Sequence, residues 1–151
     1  MTTLKAGDKA PDFNIPNQDG ELTSLKDFKG KKLVLFFYPK DNTPGCTAEA
    51  CDLRDNIDAL NNEGYHILGI SPDSEKKHQN FIEKFDLPFP LLADTEQAML
   101  KAYGVWGPKS FMGKDYIGVH RTTFLIDEKG KISEVISKVK TKEHAAQILN
   151  V

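Results

Sequence analysis

Cysteine is scarce in this chain of 151 residues: Cys46 and Cys51 are the only two, and no Cys-x-x-Cys pair occurs. That absence argues against a thioredoxin-type dithiol oxidoreductase. Zinc is disfavoured too, because His66, His78, His120 and His144 are scattered singly and no second ligand pair stands near the cysteines. These histidines read as surface or strand-end residues, with His120 set apart only by its neighbour Arg121. No apolar run approaches membrane-spanning length, and the N-terminus lacks the apolar stretch of a signal peptide. The net charge of −2, with lysines and acids interspersed, gives no footprint for nucleic acid or an anionic membrane surface. Repeats, low-complexity segments and linkers are missing as well. A single domain over 1–151 in a reducing cytoplasm is expected, and two cysteines there point to catalysis rather than to a structural bridge.

The segments that are present alternate between strand and helix patterns. Phe13 to Asn17 and Leu22 to Leu25 flank the turn signal Asp19-Gly20. Leu33 to Tyr38 is apolar without alternation, as in a central strand buried on both faces. Thr43 then reads as an N-cap and Pro44 as a first helical residue. Cys46, Ala50, Leu53, Ile57 and Leu60 form one helical stripe, which predicts a continuous helix as far as Gly64. His66 to Ser71 is a second buried strand. Ser74 to Phe85 is a helix with Phe81, Ile82 and Phe85 inward, and Phe89 to Leu92 is a short strand. Asp94 to Gln97 resembles a capping box for a helix through Tyr103. Gly104 to Gly118 reads as a long glycine-rich loop carrying Trp106, Phe111, Met112 and Tyr116, either roofing the Cys46 pocket or forming a packed cap or association patch. Val119 to Asp127 and Ile132 to Val139 form a hairpin, and a last helix from Thr141 turns Ala145, Ile148 and Leu149 inward. This order predicts an α/β protein with a thioredoxin-like fold: a mixed central sheet flanked by helices, with an N-terminal β-hairpin extension.

Cys46 lies in the first turn of the helix, where unpaired amides and the dipole favour an anion. An ordinary cysteine thiol, with a pKa near ~8.5, is only about 3% ionised at pH 7. Full ionisation therefore gains only about thirty-fold in reactive fraction, and lower nucleophilicity takes some of that back. A fast enzyme must also bind and polarise its electrophile. Thr43 offers a hydroxyl three residues before Cys46, the Cys46 amide is a fixed donor, and Pro39 offers apolar cover. Arg121 is the best candidate for the missing cation, because a charged residue entering the apolar run Thr122 to Ile126 needs a partner or a task. The other arginine, Arg54, has a plain surface reading.

Pro39, Thr43 and Cys46 match the P-x3-T-x2-C signature of the peroxiredoxins. Cys51, five residues after Cys46, resembles the arrangement of the bacterioferritin comigratory protein (peroxiredoxin Q) branch. The likeness runs from Gly7-Asp8-Lys9-Ala10-Pro11-Asp12-Phe13 to Arg121-Thr122-Thr123-Phe124-Leu125-Ile126-Asp127, with Thr122 where the branch often has serine. The resemblance implies a thiol peroxidase for hydrogen peroxide and organic hydroperoxides, acting in antioxidant defence. Cys46 would be the peroxidatic cysteine, and Cys51 would resolve its sulfenic acid as an intramolecular disulfide. Thioredoxin or a similar dithiol protein would reduce that disulfide. Thr43 and Arg121 would orient the peroxide, and Glu49 matches a position common in the branch. The resemblance implies a monomer needing no metal, haem or flavin. A one-cysteine enzyme with an idle Cys51, and a redox sensor or holdase built on the same thiol, are the competing readings.

Five residues of ideal helix separate two Cα atoms by about 8–9 Å and some 140° around the axis. A disulfide needs roughly 4.4–6.8 Å. The helix turn between Cys46 and Cys51 must therefore unwind in each cycle. Hydrogen exchange over residues 43–54 is expected to show lost protection once mass spectrometry confirms a Cys46–Cys51 disulfide. Unchanged protection in the confirmed disulfide would sink this.

Overall fold

The computed structural model describes residues 1–151. Strands β1 (Asn14–Pro16) and β2 (Leu22–Ser24) pair antiparallel. Asn17 closes their turn by accepting the Asp19 and Glu21 amides on its side-chain oxygen. A single 3-10 turn (Leu25–Phe28) leads to β3 (Lys32–Phe37). Helices α1 (Pro44–Asp55) and α2 (Ile57–Asn62) follow, then β4 (Tyr65–Ser71), α3 (Glu75–Phe85), β5 (Leu91–Ala93) and α4 (Ala98–Ala102). The chain ends with β6 (Trp106–Phe111), β7 (Lys114–Val119), β8 (Thr122–Ile126), β9 (Ile132–Ile136) and α5 (His144–Leu149).

The five-stranded sheet has the order β5-β4-β3-β8-β9. β3 pairs parallel with β4 and antiparallel with β8, which makes the sheet mixed. β3 lacks alternation because both of its faces are covered. Leu33, Leu35 and Phe37 join the core beneath α4 and the N-terminal segment. Val34, Phe36 and Tyr38 join the core shared by Leu53 of α1, Leu60 of α2, Phe81 of α3 and Ile148 of α5. Cys46 belongs to this second layer. No helix is long and apolar enough to cross a membrane.

Five local expectations change. The expected continuous helix breaks at Asn56, whose side-chain amide donates to the Asp52 carbonyl at 2.8 Å and competes with the helical ladder. The capping box does not form: Gln97 adopts a left-handed conformation, and Asp94 instead accepts the Leu100 amide at 2.8 Å. The expected loop from Gly104 to Gly118 is the β6–β7 hairpin. Gly107 faces Gly118 across it, so the strand pattern is weak, and Met112-Gly113 turns with both φ angles positive, as tight hairpins require. Trp106 packs against the α4-side core, in the layer opposite Cys46, so it does not roof that residue. Finally, His78 and His144 are wholly buried rather than superficial, while Ile82 and Phe85 pack inward beside Phe81 as expected.

Gly69 lies where β3, β4 and β5 meet, in register with Phe36 and Leu91. A Cβ there would come within 2.6 Å of Leu91 Cδ2 and 2.7 Å of Phe36 Cζ. Both neighbours are buried, so they have little room to yield. Gly69→Ala is expected to cost about 1–3 kcal/mol, or roughly 2–10 °C in Tm by calorimetry. An unchanged Tm would show that these side chains repack freely.

Candidate active site

Tyr38 ends the β3 run, and Pro39, half-buried, turns the chain out of the sheet. The following loop is fixed from below. Asp41 accepts the Tyr38 hydroxyl at 2.5 Å and lies 2.6 Å from His78 Nδ1. Its amide donates to Asp73 at 2.7 Å. Asn42 takes a left-handed φ of 64°, which turns Thr43 toward the helix start. The Thr43 backbone is extended, as expected of an N-cap, but its hydroxyl donates to the Lys40 carbonyl at 2.9 Å instead of capping the helix. That bond uses the hydroxyl proton and leaves oxygen lone pairs free to accept.

Pro44 opens α1, and Cys46 sits fully buried in its first turn. The register that pairs Phe37 with Thr122 brings Arg121, one residue before β8, over this helix end. Its guanidinium bridges two side chains: Nη2 donates to Cys46 Sγ at 3.1 Å and Nη1 to Glu49 Oε1 at 2.6 Å. Glu49 follows Cys46 by three residues and so lies on the same helix face. Burial pushes the Glu49 carboxyl up to about 7, against the pull of Arg121 and with a further push from Asp52. Burial acts against the Arg121 charge as well, but Glu49 and Cys46 outweigh it and hold Arg121 above its ordinary value. A permanent, half-buried cation therefore stands beside the buried sulfur, which stabilises a sulfur anion and any oxygen gaining negative charge next to it. On the solvent side of Arg121, an open cleft of about 400 Å³ is lined by Lys109, His120, Thr122 and Lys138.

Of the sequence-predicted residues, Pro39 follows the β3 exit, Thr43, Cys46 and Glu49 form the start of α1, and Arg121 reaches Cys46 and Glu49 from the residue before β8. Cys51 is half-buried on another face of α1, and both cysteines are free thiols. Arg54 departs from its surface reading: it is half-buried and donates to the Phe85 carbonyl at 2.7 Å. His144 of α5 was missed, although it lies 3.4 Å from Glu49 Oε2. Its place four residues before the inward Ile148 was the available signal. Asp41, Asp73 and His78 have metal-ligating atoms close together, but these atoms bond one another, Ser71, Tyr38 and the Leu92 carbonyl. The cluster pins the loop before Thr43 and leaves neither histidine nitrogen free for an ion.

A buried cysteine held by an arginine at a helix start, in a mixed thioredoxin-like sheet, defines a cysteine-dependent peroxidase. Residues 6–135 match the AhpC/TSA family, and the chain belongs to it. Its relatives narrow the branch. The chain is 51% identical to peroxiredoxin Bcp of Escherichia coli over 150 residues, covering 99% of this chain and 96% of that protein. Against peroxiredoxin Bcp of Bacillus subtilis it is 48% identical, covering 97% and 94%. The fold superposes on Xanthomonas campestris peroxiredoxin Q with a TM-score of 0.88 at 37% identity, covering 96% of this chain and 94% of that one. A cysteine-to-serine variant of Xylella fastidiosa PrxQ gives 0.92 at 32% identity, covering 99% and 96%. A further Xanthomonas campestris structure, of bacterioferritin comigratory protein, concerns its alkyl peroxide reduction activity; it matches with a TM-score of 0.88 at 36% identity, covering 96% and 95%. The chain is a thiol peroxidase, acting on hydroperoxides at the expense of a thiol reductant.

Lysine offers one ammonium where Arg121 offers a planar fork, and it cannot hold Cys46 and Glu49 in the same way. Arg121→Lys is expected to slow the reaction of reduced protein with hydrogen peroxide by roughly 10²-fold, measured by rapid mixing. A loss below about threefold would show that charge alone suffices.

Proposed function

We propose that the chain acts as a single domain in which Cys46 is the peroxidatic cysteine and Cys51 the resolving one. The Cys46 thiolate attacks one peroxide oxygen, the O–O bond breaks, and the leaving oxygen takes a proton from solvent to give water or an alcohol. Cys46 is then a sulfenic acid. The Cys51 sulfur attacks the Cys46 sulfur, the S–O bond breaks, and water leaves as the disulfide forms. A dithiol reductant, thioredoxin or a similar protein, returns both thiols and is itself oxidised.

The observation that carries this reading is the Arg121 fork, which joins the Cys46 sulfur to Glu49. In this role Arg121 polarises the peroxide, and Thr43, its proton already given to Lys40, accepts the peroxide O–H. Pro39 limits water, and Glu49 orients Arg121. The alkyl peroxide activity named for the Xanthomonas campestris structure supports organic hydroperoxides as substrates beside hydrogen peroxide. On the same reading the protein is a cytoplasmic monomer serving antioxidant defence.

The test is peroxide turnover coupled to thioredoxin, thioredoxin reductase and NADPH. Cys46→Ser is expected to abolish turnover. Cys51→Ser is expected to consume one peroxide per chain and then stall until another thiol is supplied. Absence of reductant-coupled turnover by the unmodified protein would favour a redox sensor or holdase over this cycle.

A further inference from the structure

Glu49 Oε2 is the one buried side-chain nitrogen or oxygen without a hydrogen-bond partner. His144 Nε2 lies 3.4 Å from it, and both side chains are fully buried. The protons on His144 can be assigned from its surroundings. Gln147 donates its amide nitrogen to the Lys138 carbonyl at 3.0 Å, so its oxygen faces inward. That oxygen accepts the Lys140 amide and lies 2.9 Å from His144 Nδ1, which must therefore be the N–H. In the neutral ring Nε2 is bare and accepts the Thr123 hydroxyl at 2.7 Å. An ionised Glu49 then turns a carboxylate oxygen toward a nitrogen lone pair with no hydrogen between them. One added proton, on Oε2 or on Nε2, repairs the contact when the Thr123 hydroxyl turns its hydrogen away from Nε2.

We propose that Glu49 and His144 form a one-proton site behind Arg121, and that the proton is released when α1 unwinds to join Cys46 to Cys51. This rests on the disulfide reading above. Glu49 lies between the two cysteines, so unwinding that turn carries it away from Arg121 and His144 into water. His144 is in this account a positioning residue that holds the Glu49 proton. The other charged groups facing the pair are Arg121 from just before β8 and Asp52 from α1, with Cys46 across Arg121 and Lys109 of β6 beyond it. Burial raises Glu49 to about 7 and lowers His144, so the wound state takes up its proton on the Glu49 side near neutrality.

The sign follows from linkage. A solvated glutamate titrates near ~4.3, so the wound helix binds more protons than the unwound one between there and about 7. The wound state is favoured at the acid end of that window, and the advantage is lost as pH rises through 7. Hydrogen exchange over residues 46–52 of the reduced protein, corrected for intrinsic rates, reads this without any redox step. Protection factors are expected to fall roughly twenty-fold from pH 5.5 to 7.5. Glu49→Gln, which mimics the protonated acid, should stay protected with no pH step. His144→Gln, whose amide can donate to Oε2, should move the step to lower pH. An infrared carboxylic-acid band in the unmodified protein, lost as pH rises from 5.5 to 8, should accompany the step even where a variant fails to fold. A flat profile, a missing band, or a step unchanged in Glu49→Gln would overturn the proposal. Mass spectrometry of the oxidised protein separately decides whether Cys46 and Cys51 pair, so failure of the disulfide reading is distinguishable from failure of the proton site.

Discussion

Arg121 cannot be taken out of water alone, and that constraint organises the site. Desolvating an unpaired guanidinium costs several kcal/mol. Here Glu49 and the Cys46 sulfur offset the cost at 2.6 and 3.1 Å. Both partners lie on the first turns of α1, so the helix must start at one place relative to β8. The antiparallel register of β3 with β8 and the Asn42 bend before Thr43 set that place. Removing Glu49 leaves a half-buried cation paired only with sulfur, and removing Arg121 leaves the buried Glu49 carboxyl and Cys46 thiol without their shared partner. The site is therefore held by the Arg121 hydrogen bonds and, where Glu49 is ionised, by charge compensation, as much as by packing.

The two ends of this helix start are treated differently. Upstream, Asp41 uses its amide and both carboxylate oxygens on Asp73, Tyr38 and His78, all within the buried layer. Such a fully satisfied network is costly to break. Downstream, Glu49 Oε2 has no hydrogen bond at all. The fixed boundary thus lies before Thr43, and the defect lies inside the helix turn itself.

Most of the sheet was legible in the sequence. β3 and β4 announce themselves as unbroken apolar runs, and the N-terminal hairpin by Asp19-Gly20. Cys46, Thr43 and Pro39 were legible in the P-x3-T-x2-C pattern and Arg121 in its place before an apolar strand, and the fold does bring Arg121 to the Cys46 sulfur. The β6–β7 hairpin was hidden because Gly107 and Gly118 weaken both strands where they face each other. His78 and His144 were hidden for another reason. A histidine on an apolar helix stripe is read as polar, yet each ring here is satisfied by partners distant in sequence, Asp41 for one and Thr123 for the other. Only the assembled fold brings those partners in.

For the proposed cycle, the distribution of side-chain size along α1 matters. The turn that must open buries Cys46, Glu49 and Ala50, of which the apolar members are small. Re-exposing a methyl or thiol group costs only on the order of 1 kcal/mol each. Leu53 and, beyond the Asn56 break, Leu60 are wholly buried and large, and withdrawing either would cost about 2–3 kcal/mol. Asp52 adds a tie, accepting the Ala145 amide of α5 at 2.8 Å. Unwinding can therefore proceed from Pro44 through Cys51 and meet rising resistance at Asp52 and Leu53. What chiefly opposes the opening of that first stretch is the Arg121 bridge. Oxidation of the sulfur weakens that bridge in the proposed cycle, since the reacting thiolate is replaced by a neutral sulfenic acid. The step that creates the need for Cys51 thus also loosens the contact that keeps Cys51 away.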